Sequence, residues 1–232
     1  MMDTSLASTS YQESRSRLET YFDKTARKAW EDLTSDAPVS GIRATVRAGR
    51  DEMRALLLST LPSDMNGMRL LDAGCGTGAL AIAAAQRGAD VVAIDVSQGL
   101  IDVAQKRAPK NISIEWCVGD MRSHNLGIFD HVIAMDSLIH YDEDDVVGVL
   151  KAWSQRANEI AFTFAPGTAL LRTMHFVGKA FPRGNRSPAL KPISQTRLSH
   201  SIEAALPDWD IGFTKRVSSG FYKSQAMGIS RQ

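Results

Sequence analysis

A glycine-rich run is the segment of this sequence best suited to binding a small molecule. Gly74, Gly76 and Gly78 follow an apolar stretch and precede a helical one. Glycine lets the backbone turn sharply and approach a ligand that a β-carbon would exclude. The spacing is G-x-G-x-G, whereas the dinucleotide fingerprint is G-x-G-x-x-G. Asp72, two residues before the first glycine, could receive the ammonium of a bound amino-acid moiety, and a pyrophosphate would gain nothing from that charge.

Further acidic residues follow the next two predicted strands. Asp95 ends the second strand, where a carboxylate suits a bidentate hydrogen bond to ribose hydroxyls. Asp120 and Met121 close the third strand and offer an acceptor and an apolar side chain to an adenine. A cofactor with these amino-acid, ribose and adenine parts is therefore expected. The residues expected to bind it are Asp72, Gly74, Cys75, Gly76, Thr77, Gly78, Asp95, Val96, Ser97, Gly119, Asp120, Met121 and Asp136.

Short apolar strands alternate with helical segments from Arg69 onward, which predicts a Rossmann-like α/β fold with helices on both faces of a parallel sheet. Ligands of such sheets bind at the carboxyl ends of the strands, where the loop and the acids would meet. The predicted strands are 69–73, 90–95, 112–117, 129–135 and 158–164, the predicted helices 78–87, 98–107 and 143–156, and the terminal hairpin 209–216 with 221–229.

The N-terminal part predicts a helical arm. We expect residues 1–14 to be disordered, 15–62 to form the arm, and 63–232 to form the α/β domain. The arm is either a lid over the pocket or a helix pair packed on the sheet, and one face could serve each purpose. Its apolar positions are Leu18, Tyr21, Phe22, Ala26, Ala29, Trp30 and Leu33 in a first helix, then Ile42, Val46, Met53 and Leu57 in a second helix over about 40–60.

Composition excludes several classes of protein. With 44% hydrophobic residues and a net charge of +1, the chain is neither wholly disordered nor basic enough for a general nucleic-acid binder. Cys75 and Cys117 are far apart, so no disulfide framework is expected and the cytoplasm is the expected location. The N-terminus lacks a signal-peptide core and no apolar run could span a bilayer, which leaves peripheral membrane contact open.

The motifs around the loop resemble those of the class I S-adenosylmethionine-dependent methyltransferases. The resemblance covers roughly residues 65–165 and rests on the D-x-G-x-G-x-G loop, the acid in VVAIDVS and the GDM turn. It implies S-adenosylmethionine as cofactor, S-adenosylhomocysteine as product, and a seven-stranded, mostly parallel sheet whose last strand is antiparallel.

A narrower resemblance covers about residues 15–230. The chain resembles the magnesium-protoporphyrin IX O-methyltransferases of chlorophyll and bacteriochlorophyll synthesis in YFDKTARKAW, LTSDAPVSGIRATVRAGRDEMRALLLSTLP, MDSLIHY, FTFAPGT and KAFPRGNRSPALKPI. This implies methylation of one propionate of Mg-protoporphyrin IX to the monomethyl ester. It also implies handover of the substrate from the porphyrin-binding subunit of magnesium chelatase. The magnesium belongs to the substrate, and the scattered histidines predict no metal site in the protein.

A basic insertion over about 166–200 suits such a substrate. No acidic residue occurs between Glu159 and Glu203, and the insertion itself includes Phe176 and Phe181. Cations and aromatic rings would suit a flat apolar molecule with two carboxylates, although a solvated loop or a contact with an anionic membrane would have the same composition. The expected substrate-binding residues are Arg172, His175, Lys179, Arg183 and Arg186.

His140 and Tyr21 are the candidate catalytic residues. His140 follows the fourth strand and could accept the carboxyl proton or orient the reacting oxygen, although a lone histidine is more often structural. Tyr21 could close over the cofactor and position the carboxylate, or simply belong to the apolar helix face. Asp136 could contact the methionine end of the cofactor or cap the following helix.

The charge change of the reaction limits what the basic residues can do. Attack of a carboxylate on a sulfonium neutralises charge, so an arginine on the reacting oxygen would stabilise the ground state more than the transition state. The basic residues should therefore hold the other propionate or the loop. Three alternatives stay open: methylation of another small carboxylate or hydroxyl, a non-catalytic cofactor-binding module, and an NAD(P)-dependent oxidoreductase, against which the loop spacing and Asp72 argue.

Overall fold

A seven-stranded sheet forms the centre of the computed structural model, which describes residues 8–35, 38, 41–167 and 189–232. The strand order is β3-β2-β1-β4-β5-β7-β6, with β1 to β5 parallel and β7 antiparallel to both of its neighbours. This confirms the predicted sheet and hairpin. The strands are β1 (Arg69–Ala73), β2 (Asp90–Asp95), β3 (Ile114–Val118), β4 (Phe129–Ala134), β5 (Ala157–Phe164), β6 (Trp209–Ser219) and β7 (Tyr222–Arg231).

Helices cover both faces of the sheet. Leu70 and Leu71 are adjacent in β1 but belong to different apolar clusters, because successive strand residues point to opposite faces. Helices α1, α6 and α7 pack into one cluster, and α3 and α4 into the other. The described helices are α1 (Thr9–Thr20), α2 (Arg27–Leu33), α3 (Gly41–Ser59), α4 (Ala79–Ala85), α5 (Gln98–Arg107), α6 (Glu143–Ser154) and α7 (Gln195–Ala205), with a π-helical segment at Tyr21–Ala26 and 3₁₀ turns at His124–Leu126 and Leu138–His140.

Helix α1 begins earlier than the sequence predicted. Disorder over residues 1–14 is wrong for residues 9–14, which are helical, while residues 1–7 lie outside the described part of the chain. The Ser8 hydroxyl accepts a hydrogen bond from the Tyr11 amide at 3.1 Å and donates one to Asp145. Ser10 also donates to Asp145, at 2.9 Å. The first turn is therefore held by a carboxylate on α6, which local composition cannot indicate.

The inward face of α3 is shorter than predicted. Met53 and Leu57 are fully buried, as expected, but the inward placement of Ile42 is wrong because its side chain is 57% exposed. Every residue of the first turn, Gly41–Ala44, is exposed, since the helix reaches the apolar cluster only from Val46 onward.

Cys75 and Cys117 are both present as free thiols. None of the helices in the described ranges combines the length and the apolar character needed to cross a bilayer.

Gly49 allows α3 to pack closely on the terminal hairpin. A β-carbon at this position would lie 2.5 Å from Cδ1 of Tyr222 and 2.7 Å from its Cβ. Glycine is a poor residue for the interior of a helix, so its place here reflects the close approach of the two elements.

We predict that Gly49→Ala destabilises the protein by about 1–3 kcal/mol through overpacking, more than the roughly 1 kcal/mol that alanine gains as a helix former. Gly148→Ala in α6 is the matched control: a β-carbon there meets nothing within 4 Å, so the change should be neutral or stabilising. Urea unfolding followed by circular dichroism measures both. Equal stability of the two variants would contradict close packing at Gly49.

Candidate active site

A cavity of about 370 Å³ lies where β1, β2, β3 and β4 end. Side chains of α3 form one of its other walls, and side chains from the helical segments that precede α3 form the rest. These segments, residues 9–33, are called the arm below. The predicted site residues that line it are Asp72, Gly74, Cys75, Gly76, Thr77, Asp95, Val96, Gly119, Met121, Asp136 and His140.

The glycine loop adopts a backbone that other residues rarely accept. Gly74, Gly76 and Gly78 have φ angles of 78°, 54° and 80°, in the left-handed region. A β-carbon on Gly74 would meet the Ser137 side chain, and one on Gly78 would meet Trp116. The loop therefore lies flush against its neighbours, and Gly78 packs beside the cavity rather than lining it.

Asp72 is a buried carboxylate beside the loop, with only 1% of its surface exposed. Its Oδ2 accepts a hydrogen bond from the Ala81 amide in the first turn of α4, at 3.0 Å. Burial raises the pKa of Asp72 to about 7, and the nearby Asp95 charge adds to the effect. A positive group entering the cavity would favour the ionised form, so Asp72 is suited to bind an ammonium.

Asp95 is held by two backbone amides. Its Oδ2 accepts from Gly76 at 2.9 Å and its Oδ1 from Ser97 at 3.0 Å. Burial raises the pKa of Asp95, and both amides oppose that shift. Each carboxylate oxygen can accept a further hydrogen bond, so the pair still suits two neighbouring hydroxyls.

Ser97 and Asp120 fix the arm rather than line the cavity. The Ser97 hydroxyl caps α5 through the Leu100 amide at 3.2 Å and donates to Asp23 of the arm at 2.5 Å. Asp120 accepts hydrogen bonds from the Tyr11 hydroxyl at 2.7 Å and from the Arg15 guanidinium at 3.2 Å. Their contact with a cofactor, like that of Gly78, stays a prediction.

Asp136 is the centre of a polar cluster that the sequence did not reveal. Its side chain is 4% exposed and pairs with Arg50 of α3 at 2.6 Å. The Tyr222 hydroxyl donates to it at 2.9 Å, Ser224 at 3.1 Å and Thr163 at 3.3 Å. None of these partners belongs to the following 3₁₀ turn, so the helix-capping alternative for Asp136 is wrong. Arg50 and Tyr222 come from distant segments whose composition carried no signal.

The arm covers the cavity through aromatic side chains. Trp30 and Phe22 line the cavity and meet edge to face at 5.5 Å, and the Arg50 guanidinium lies 4.7 Å from the centre of the Trp30 ring. Tyr11 and Leu18 line the cavity and also belong to the apolar cluster on the sheet. These side chains thus both line the cavity and pack on the sheet, while a role of the arm as a lid stays a prediction.

A second cavity of about 270 Å³ adjoins the first at His140 and Leu18, which line both. Tyr21 lines this second cavity and not the first, and the closure of its ring over the cofactor stays a prediction. The described residues around the second cavity are Ser14, Arg17, Leu18, Tyr21, His140, Ala189 and Lys191.

The contacts of His140 define its protonation. Its Nδ1 lies 3.4 Å from the carbonyl oxygen of Ala189, which can only accept, so this contact favours the tautomer with the hydrogen on Nδ1 and a lone pair on Nε2. Burial lowers the pKa of His140, although the Ala189 carbonyl and the Asp136 charge oppose that shift. The imidazole is therefore neutral near pH 7 and presents an acceptor.

The predicted substrate-binding residues cannot be placed in the same way. Arg172, His175, Lys179, Arg183 and Arg186 lie outside the described residues.

Comparison with known proteins identifies the family. A family model described as magnesium-protoporphyrin IX methyltransferase C-terminus matches residues 134–231, and a methyltransferase domain model matches residues 70–158. The magnesium-protoporphyrin O-methyltransferase of Rhodobacter capsulatus is 47% identical over 94% of this chain and 96% of its own length. The chain belongs to the magnesium-protoporphyrin O-methyltransferase family. The Synechocystis member of this family is 27% identical over 91% of this chain and 94% of its own.

A solved structure supports the same placement. Magnesium protoporphyrin IX methyltransferase from Synechocystis PCC 6803, with bound SAH, matches with a TM-score of 0.80 at 25% identity and covers 94% of this chain and 99% of its own. The arm and the hairpin thus belong to the shared fold of the family, together with the α/β core.

We predict that Arg50→Met destabilises the protein by about 3–5 kcal/mol, because it leaves the Asp136 carboxylate buried without a positive partner. Adding Asp136→Asn should restore part of that loss by removing the charge. Arg54→Met is the control, since Arg54 pairs with the half-exposed Asp51 and should cost under about 1 kcal/mol. Urea unfolding gives the three values. Equal losses for the two arginine variants would refute the importance of the buried pair.

Proposed function

We propose that this chain transfers the methyl group of S-adenosylmethionine to one propionate carboxylate of Mg-protoporphyrin IX, forming the monomethyl ester and S-adenosylhomocysteine. The observation that carries the proposal is His140, which lies between two adjoining cavities. One cavity has the glycine loop and acids of a cofactor site, and the other has two cations suited to an acidic acceptor. A group transfer requires the two reactants to meet at such a boundary.

The residues of the larger cavity fit the cofactor. Asp72 would bind the ammonium of its methionine part, Asp95 the ribose hydroxyls, and Met121 the adenine. When bound, S-adenosylmethionine supplies an electrophilic methyl group on a sulfonium. Phe22 and Trp30 cover this cavity and would exclude water from it.

His140 and Tyr21 would act on the acceptor carboxyl. An apolar surrounding would raise the pKa of the reacting propionate, and the protonated fraction would then need a base. Nε2 of His140 would accept that proton, which favours a general-base role over simple orientation. The Tyr21 hydroxyl has no hydrogen-bond partner within the described residues and would donate to the second carboxyl oxygen. The attacking oxygen would then bond to the methyl carbon. The bond between that carbon and sulfur would break, and its electron pair would remain on sulfur.

The proposed activity is tested by mixing the protein with S-adenosylmethionine and Mg-protoporphyrin IX and separating the products by liquid chromatography. Equal amounts of monomethyl ester and S-adenosylhomocysteine are expected. Calorimetry with S-adenosylhomocysteine and with NADH addresses the cofactor separately. Binding of S-adenosylhomocysteine without ester formation would keep the assignment as a methyltransferase and reject the porphyrin as acceptor. Binding of NADH alone would reject both the methyltransferase assignment and the porphyrin acceptor.

We predict that His140→Ala lowers kcat about 100-fold, because the acceptor carboxyl loses its base. Added imidazole should restore part of the rate. His200→Ala is the control, since His200 is exposed on α7 and lines neither cavity. Initial rates of ester formation measure all three. A full rate in His140→Ala would rule out the catalytic role.

We predict that affinity for S-adenosylhomocysteine weakens about tenfold between pH 8 and pH 6, because the pKa of Asp72 is raised to about 7 and protonation removes the partner of the ammonium. Asp72→Asn should bind weakly and without this pH dependence. Calorimetry across the range measures both proteins. The same pH profile in the variant would assign the titration to another group, such as Asp95.

Two finer expectations accompany this proposal. The family resemblance implies handover of the substrate from the porphyrin-binding subunit of magnesium chelatase, and the sequence leaves open a peripheral contact with the intracytoplasmic membrane. Ile42 and Phe221 are large apolar side chains at 57% and 54% exposure, which is consistent with a peripheral membrane contact. Both expectations stay predictions.

A further inference from the structure

Two cations of the second cavity have no role in the methyl transfer itself. We infer that Arg17 and Lys191 bind the carboxylate of the acceptor that is not methylated, and so restrict methylation to one carboxylate. This inference rests on the proposed function. It gives to Arg17, and to Lys191 within the basic insertion, the task that the sequence interpretation gave to other cations of that insertion.

Arg17 is placed to meet an acceptor in the cavity that Tyr21 also lines. It lies one helical turn before Tyr21 in the arm. Its Nε donates to the Glu13 carbonyl at 3.2 Å and its Nη2 to the hydroxyl of the buried Ser14 at 3.3 Å. These contacts orient the guanidinium, which belongs to an exposed residue and pairs with no described carboxylate. An anionic ligand could therefore bind it without displacing an acidic side chain.

Lys191 approaches the same cavity from the other side. Its amide donates to the carbonyl of Ile139 at 2.9 Å, which holds the residue beside His140. The ammonium pairs with Asp142 at 2.5 Å, but that carboxylate is 57% exposed. A solvent-exposed pair contributes little energy, so the ammonium can turn to a carboxylate in the cavity at small cost.

The other described cations near the site line the larger cavity, where the cofactor is proposed to bind. Arg50 pairs with Asp136, and Arg54 with Asp51. Arg47 donates to the carbonyl oxygens of Leu33 and Asp32, at 2.9 and 2.8 Å. Arg17 and Lys191 are the described cations that line the second cavity, where the acceptor is proposed to lie, so they are the ones placed to take its carboxylate.

Charge decides which of the two carboxylates they hold. A cation on the reacting oxygen would stabilise the anion, which is neutralised during transfer, and so slow the step. A cation on the other carboxylate meets the same charge before, during and after transfer. It thus strengthens binding without raising the barrier.

This arrangement also explains a single methylation. A second transfer would place the free carboxylate at His140 and the new ester against Arg17 and Lys191. An ester is a much poorer partner for two cations than a carboxylate. The monomethyl ester therefore binds only weakly in the orientation that a second transfer would require.

The test compares Mg-protoporphyrin IX with its dimethyl ester in fluorescence titrations of the wild type, Arg17→Gln/Lys191→Met, and Arg17→Lys. The wild type should prefer the diacid. The double variant should bind the diacid about 10- to 100-fold more weakly, the diester unchanged, and so lose the preference. Arg17→Lys, which keeps the charge, should retain most of it. Lys106→Gln, an exposed change on α5, is the control.

Turnover supplies the second readout. In the double variant KM for the diacid should rise, while kcat should stay within about threefold of the wild-type value. Affinity for S-adenosylhomocysteine should be unchanged. Dimethyl ester should form on long incubation. An unaltered diacid preference, or a loss of kcat at unchanged affinity, would overturn the inference. The titrations need no catalysis, so absence of turnover in the wild type would count against the proposed function and not against this pair of cations.

Discussion

A carboxylate buried at the end of β4 must find a positive partner, because an unpaired charge away from water is strongly destabilising. In this protein the partner of Asp136 is Arg50, which lies on α3, outside the sheet. The pair fixes the position of α3, and the Arg50 guanidinium in turn lies over Trp30 of the arm. One ion pair therefore connects the sheet, the helix that covers it and the side chains that close the cofactor cavity.

The division into two cavities separates what is general in the fold from what is particular to the acceptor. The larger cavity is formed mainly by the loops that follow parallel strands, the usual ligand site of α/β sheets. The second is formed by the arm and by Ala189 and Lys191, which lie outside the strands and helices of the core. His140 borders both, whereas Arg17, Tyr21 and Lys191 line only the second cavity, so changes at these positions would leave the lining of the larger cavity intact.

The sequence predicted those features that depend on local patterns. The strands, the glycine loop and Asp72 could be found because apolar runs and glycine spacing are visible in short windows. The start of α1 could not, because it depends on Asp145, far away in the chain. Periodicity placed Ile42 inward because it cannot show where a helix leaves the core. Nor could it distinguish Arg50 from the other arginines of α3, since only the fold brings Asp136 to it.

The order of the strands has a consequence for synthesis on the ribosome. β7 is translated after every other strand, yet it lies inside the sheet between β5 and β6. Until it emerges, β5 is an open edge and Asp136 lacks the hydroxyls of Tyr222 and Ser224. The nascent chain can thus form the glycine loop early, but the site matures only when the final strand inserts. During that interval β5 is a point of exposure to misassembly and a natural target for chaperones.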